Sequence, residues 1–370
     1  MNNNLRIAGF MSGTSMDGLD CCICKLSIDH NLRFNYNIVS KKSFKFDDFI
    51  ISQIKENIGN QNKLNIKKID DFLGQIFLDL SKDFLLQNSF DYISMHGQTI
   101  HHEDKVKSIQ VGNPEYLSNY FKVPVIYNFR EKDINLKGNG APLMPFLDWL
   151  VFRNQDSSTL TLNLGGISNI SVIPKNSKKD YVIGFDIGPG MSLIDECSKK
   201  FWNNSCDYNG EYSSKGEINE DMLNYLMKDT FISKNPPKST GRQDFGEKYI
   251  DEIISNYNVL SKFDIIRTLV KFTSRSIKLN LEKFVLKKNN IDKLIISGGG
   301  LKHPILMSDI KKDLDIPMVD IIDYGIEPQF KESLLIAVLG YAKVKNIKSN
   351  IPNVTGALED IVLGDIYEPK

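Results

Sequence analysis

The sequence predicts an α/β protein of two domains built on a like plan. Three observations carry that reading. Short apolar stretches alternate with helical patterns along the chain. The order strand, Gly/Ser-rich turn, strand occurs near the start of both halves, which suggests duplicated architecture without duplicated sequence. Gly138, Gly140, Pro142 and Pro145 fall close together between the halves. The boundary is placed there: an N-terminal domain over 1–140 and a C-terminal domain over 141–370, with the C-terminal segment free to pack back on the first.

The elements follow in order. Residues 5–10 form a short apolar strand, and 19–26 a second. Residues 11–18 between them carry the Ser, Gly, Thr and Asp of a tight turn. A third strand is expected within 32–46, then helices near 47–58 and 66–86. In the second helix Ile69, Phe72, Leu73, Ile76 and Leu80 share a face. Residues 91–95 read as a buried strand feeding a turn at 96–99. In the second half, strands are expected at 158–164, 167–173, 182–185 and 293–297. Helices are expected at 191–201, 264–285 and 328–344.

Composition sets limits. Lys+Arg and Asp+Glu are 46 each, so no broad electrostatic footprint for nucleic acid is expected. The N-terminus lacks the apolar core of a signal peptide, and no apolar run reaches membrane-span length, so no membrane partner is expected. The odd count of 5 cysteines does not suggest a disulfide framework, and a reducing cytoplasm is the expected location. Strand alternation sends Cys21 to the face opposite Cys22 and Cys24, so all three read as packing residues.

Several motifs can carry chemistry. Gly13, Thr14, Ser15, Met16, Asp17, Gly18, Leu19 and Asp20 combine glycines that admit a phosphate to the backbone with hydroxyl donors. Asp17 or Asp20 can hold Mg²⁺ through water. Read alone, the segment is also an ordinary hairpin turn, and the P-loop lysine is missing. Asp186, at a strand end before Gly188-Pro189-Gly190, suits a general base but equally a helix cap. Gly298, Gly299 and Gly300 after a buried strand leave room for a flat ring or a phosphate, or make a tight connection. His96, His101 and His102 lack a transition-metal spacing; a sugar-binding loop using Gln98 and a histidine is the better reading, with a solvated loop as the alternative. Lys238 and Arg242 in Pro236-Pro237-Lys238-Ser239-Thr240-Gly241-Arg242 can meet anions or lie in an exposed loop.

In shared order and spacing, these segments resemble the anhydro-N-acetylmuramic acid kinases over essentially the whole chain. The resemblance runs through residues 9–20, Ser94 to Thr99, Asn128-Phe129-Arg130, Gly140 to Leu143, Asn163 to Asn169, Phe185 to Gly190, Pro236 to Arg242, Gly298 to Gly300 and Val354 to Ala357. It implies the two-domain fold shared with sugar kinases, actin and the heat-shock chaperone ATPases, with ATP in the cleft between the domains. It implies a first phosphate-binding hairpin at Gly13 to Asp20 and a second containing Asn163, Gly165 and Gly166. Gly298 to Gly300 becomes the nucleoside-side turn and Asp186 the catalytic aspartate. His96, Gln98, Arg130 and Glu332 are candidate substrate-binding residues, with Arg130 suited to the lactyl carboxylate of the sugar or to a structural ion pair.

The reaction implied is ATP-dependent conversion of 1,6-anhydro-N-acetylmuramic acid and water to N-acetylmuramic acid 6-phosphate and ADP, in cell-wall amino-sugar recycling. ATP, Mg²⁺ and a homodimer are implied in the same way. The alternatives are a kinase for another sugar hydroxyl on the same fold, and an ATP-switched binding protein. Three residues depart from the family pattern: Asn128 where Asp is usual, and Met191 and His303 where Asn is usual.

Overall fold

The computed structural model describes residues 4–370 apart from 14, 15 and 30. Thr14 and Ser15 of the predicted phosphate loop therefore lie outside the described residues. The chain forms two compact units, one of Met1–Val151 with Tyr324–Lys370 and the other of Phe152–Asp323. The composition shift around Gly138 and Gly140 thus lies inside the first unit, and the segment from Tyr324 onward belongs to that unit as well.

The first unit is built on the strands β1 (Leu5–Ser12), β2 (Gly18–Ile28), β3 (Phe34–Lys45), β4 (Tyr92–Glu103), β5 (Lys107–Val111) and β6 (Val125–Tyr127). Along the sheet the order is β3-β2-β1-β4-β6, closed by the strand Asp365–Tyr367, with β5 paired to β4. The pairings from β3 to β1 are antiparallel, and those from β1 through β4 to β6 are parallel. Helices Asp48–Glu56 and Lys63–Leu86 cover one face. Ile50, Ile54, Ile69, Leu73 and Phe77 pack there against Ala8, Phe10 and Cys21. The Cys22 and Cys24 sulfurs meet at 3.3 Å outside that cluster, as strand alternation requires.

Helix Lys331–Val344 covers β1, β2 and β4. Gly9 permits that approach, since a Cβ there would lie 2.2 Å from the Ser333 carbonyl oxygen. This packing is what returns the C-terminal segment to the first unit.

The second unit carries β7 (Thr159–Leu164), β8 (Ile167–Ile173), β9 (Ile183–Pro189), β10 (Lys293–Ser297) and β11 (Met318–Asp320). Its order, β9-β8-β7-β10-β11, repeats that of the first unit, with antiparallel pairings from β9 to β7 and parallel ones beyond. Leu160, Leu162 and Leu164 point into a core shared with helices Ser192–Trp202, Lys262–Asn280 and Pro304–Asp313. The predicted α/β class and two units of like plan are therefore present, each unit with its own mixed sheet.

Three local predictions change. The turn expected at 96–99 is continuous strand within β4, because a register shift and a positive φ at Gly97 (77°) absorb the glycine without reversing the chain. The helix expected to run to 285 ends at Asn280 and continues as a π-helical turn over Leu281–Val285. The helix expected from 328 begins with a 3₁₀ turn, Pro328–Phe330, before Lys331–Val344.

Candidate active site

In the first unit the β1–β2 hairpin reverses around Gly13 and Met16, whose amide donates to the Gly13 carbonyl at 3.1 Å. Met16 and Gly18 are half-buried, Asp17 is exposed and Leu19 points into the core. Asp20 pairs with Met11 on β1 and with Ser43 on β3. Its Oδ1 accepts from Gln329 Nε2 at 3.2 Å. Burial raises the Asp20 carboxyl above the ordinary range, against hydrogen bonds from Ser43 and Gln329. Glu332 is exposed on the first turn of the following helix.

His96 and Gln98 sit on β4 beside β1. Gln98 is fully buried, accepts from Ser12 Oγ at 2.6 Å and donates to the Thr99 carbonyl at 3.2 Å. It braces the end of β1 where the β1–β2 hairpin begins. Arg130 follows β6; its Nε donates to His96 Nε2 at 3.1 Å and its Nη1 to the Gly140 carbonyl at 2.7 Å. Burial brings His96 down to about 3, with the Arg130 charge adding to the effect. His96 also borders a cavity of about 350 Å³ that is lined by Gln110, Tyr127, Asn128 and Glu131 among others.

The Arg130 loop is held from behind by Asp133, a fully buried residue. Its carboxylate accepts from the Gly140 amide at 2.8 Å, Asn350 Nδ2 at 3.0 Å and Thr355 Oγ1 at 2.7 Å. The motifs at Gly140 and Thr355 are thereby two parts of one clamp. Spacing in the sequence carries no signal for this pairing.

In the second unit, register places Ser297, Asn163, Asn169 and Asp186 in one row across β10, β7, β8 and β9. Paired residues share a face, and Leu162, Leu164, Phe185 and Ile187 occupy the other. The core face therefore stays apolar while the opposite face carries a polar row. Gly165 and Gly166 turn β7 into β8 and accept from the amides of Met191 (2.8 Å), Gly190 (2.9 Å) and Ser192 (3.0 Å). Arg242 lies against this turn, with Nε 3.1 Å from where a Gly166 Cβ would stand.

Gly298 has φ 93°, and a Cβ there would lie 2.6 Å from the Leu164 carbonyl oxygen, so only glycine fits. Gly299 and Gly300 begin the 3₁₀ turn Gly299–Lys302. Asp186 is no helix cap. It lies within β9, and its Oδ2 accepts from the Thr240 amide at 3.0 Å.

The three departures have local explanations. His303 Nδ1 accepts from the Leu306 amide at 3.1 Å, so the imidazole caps helix Pro304–Asp313. Its Nε2 meets Asp207 Oδ2 at 3.1 Å. Asn128 takes φ 58°, a conformation that asparagine tolerates, and donates to Asp365 Oδ2 at 2.8 Å. Met191 precedes helix Ser192–Trp202 without a side-chain cap and buries its side chain instead.

Residues 5–369 match the family model described as anhydro-N-acetylmuramic acid kinase. Relatives of that name include one from Clostridioides difficile (strain 630), 35% identical, with 97% of both chains covered. Another, from Bacillus cereus (strain AH820), is 34% identical over 98% of this chain and 99% of the relative. A third, from Francisella tularensis subsp. novicida (strain U112), is 33% identical over 97% of both.

Proposed function

The chain belongs to the anhydro-N-acetylmuramic acid kinase family, and from that premise we propose that it converts 1,6-anhydro-N-acetylmuramic acid, water and ATP to N-acetylmuramic acid 6-phosphate and ADP. The observation that carries the residue assignment is the polar row of the second unit. It ends in Asp186 and runs beside the Gly165-Gly166 turn.

Asp186 acts as general base toward water, which attacks the anomeric carbon. The bond from that carbon to the bridging oxygen on carbon 6 breaks, and the freed oxygen takes the γ-phosphoryl group of ATP. ADP leaves. Gly13 to Asp20 in the first unit, and Asn163, Gly165 and Gly166 in the second, bind phosphate oxygens through backbone N–H groups. Gly298 to Gly300 accommodate the nucleoside. Arg130 and His96 face the sugar, with Arg130 directed at the lactyl carboxylate. Gln98 supports them by holding the end of β1.

The residues present fit Mg²⁺ carried in with ATP. Asp17, exposed on the hairpin, or Asp20, half-buried at the start of the next strand, would hold the ion, as suits an ion bound by one or two carboxylates, waters and phosphates. When bound, Mg²⁺ neutralises phosphoryl charge.

The chain contains no described helix long and apolar enough to cross a membrane. A cytoplasmic location and a homodimer complete the proposal. The test is incubation with ATP, Mg²⁺ and the anhydro-sugar beside a panel of free hexoses and amino sugars, with mass spectrometry of each product. A ring-opened phosphorylated product from the anhydro-sugar is expected. Phosphorylation of a free sugar alone would assign the chain a different substrate.

A further inference from the structure

We propose that Lys238 is a positioning residue for Asp186: it anchors the Pro236 to Arg242 segment, which clamps the carboxylate, and supplies positive charge beneath it. The proposal rests on the reading of Asp186 as the general base.

The segment grips Asp186 at two points. The Asp186 amide donates to the Lys238 carbonyl at 3.1 Å, and the Thr240 amide donates to Asp186 Oδ2 at 3.0 Å. The first bond continues the strand; the second orients the carboxylate. Thr240 is itself tied down, its Oγ1 donating to Asp244 Oδ2 at 2.6 Å.

Between those two grips the Lys238 side chain turns inward and is only 5% exposed. Its Nζ donates to the carbonyls of Phe231 at 3.0 Å and Ile232 at 3.1 Å. It stands 4.8 Å from the Phe231 ring centroid, 5.9 Å from Phe185 and 5.8 Å from Phe284. Phe185 is the chain neighbour of Asp186, so the ammonium is seated under the catalytic strand.

Burying an ammonium is costly unless partners offset it. A methionine would fill this aromatic box without that cost. Two carbonyls and the ring faces offset part of it. The charges facing the ammonium are Asp186 and Asp229, which favour it, and Lys234 and Lys283, which oppose it. Burial brings Lys238 down to about 8, and Asp186 acts against that shift. By reciprocity the ammonium stabilises the ionised form of Asp186, the form a general base needs.

The test compares Lys238→Met with Lys238→Arg. For Lys238→Met we expect kcat to fall about tenfold or more, KM for ATP to stay within about twofold, and the acid limb of the kcat profile to move to higher pH. Lys238→Arg, which keeps the charge, should hold the acid limb in place. The titration of the Asp186 Cγ resonance in ¹³C-Asp-labelled protein, assigned by its loss in Asp186→Asn, reads the same shift without substrate. It therefore separates failure of this inference from failure of the proposed reaction. An unmoved titration in Lys238→Met, or a raised KM with unchanged kcat, would overturn the proposal. If Lys238→Met does not fold, Lys238→Arg decides alone: a displaced Asp186 titration despite retained charge overturns it, and an unchanged one supports it.

Discussion

The Nε of Arg130 donates to Nε2 of His96 across 3.1 Å, and His96 Nδ1 lies 2.8 Å from the Gly97 carbonyl oxygen. Arginine can only donate, so Nε2 must accept and the proton must sit on Nδ1. The imidazole is thus neutral and fixed in one tautomer. This pair, with the Gly140 carbonyl, fixes the orientation of the Arg130 guanidinium within the first unit.

The first prediction concerns pH. His96 is depressed from 6.5 to about 3 by burial first and the Arg130 charge second. A histidine depressed in the folded state is neutral in both states above about pH 6.5 and binds its proton first in the unfolded chain below it. Stability from this residue is therefore constant above about pH 6.5 and declines as pH falls toward 3, by about 1.4 kcal/mol per pH unit at most. NMR of the ring should show no titration between pH 5 and 8. A midpoint near 6.5 would refute the buried tautomer.

Asp186→Asn removes the proposed base while keeping an acceptor for the Thr240 amide. Turnover should fall by about 10³-fold or more, and the Kd for ATP should change by less than about threefold. Calorimetric titration with ATP beside a turnover assay checks both. Retained turnover would remove Asp186 from its role.

His303 both caps a helix and meets Asp207. His303→Ala should cost about 1–3 kcal/mol, the loss of a cap together with a buried acceptor left short of a donor. His303→Asn should recover the cap but not the Asp207 contact, giving an intermediate value in denaturant unfolding. Equal losses in the two variants would show that the cap contributes nothing.

Gly9→Val places side-chain atoms where helix Lys331–Val344 crosses β1. It should destabilise the first unit by about 2 kcal/mol or more, read as a lower Tm. A Tm equal to that of the unchanged protein would contradict the close packing.

These sites show what the sequence reveals and what it conceals. Alternation in Leu160, Leu162 and Leu164 is visible locally, and it correctly separates the apolar face from the one bearing Asn163. Glycine clusters locate the two hairpins for the same reason: a turn is a local event. The return of Lys331–Val344 to the first unit is not local; it depends on Gly9 far away in sequence. The turn expected at Gly97 failed because a register shift in β4 tolerates a glycine that usually signals reversal. The segments at Gly140 and Thr355 read as separate motifs, and only the fold joins them, through an Asp133 carboxylate that no motif marks. Lys238 and Arg242 were visible as a possible anion-binding pair, but the grip of Lys238 and Thr240 on Asp186 requires the pairing of two distant segments.

The central claim is that ring opening by water and phosphoryl transfer occur on one enzyme. The direct measurement is turnover of the anhydro-sugar with ATP and Mg²⁺ in ¹⁸O-labelled water, quenched before the new anomeric hydroxyl exchanges with solvent. The account predicts one labelled oxygen on the anomeric carbon, phosphate on carbon 6, and one ADP per sugar. A phosphorylated sugar with its anhydro ring intact and no label, or ADP formed with no sugar product, would contradict it.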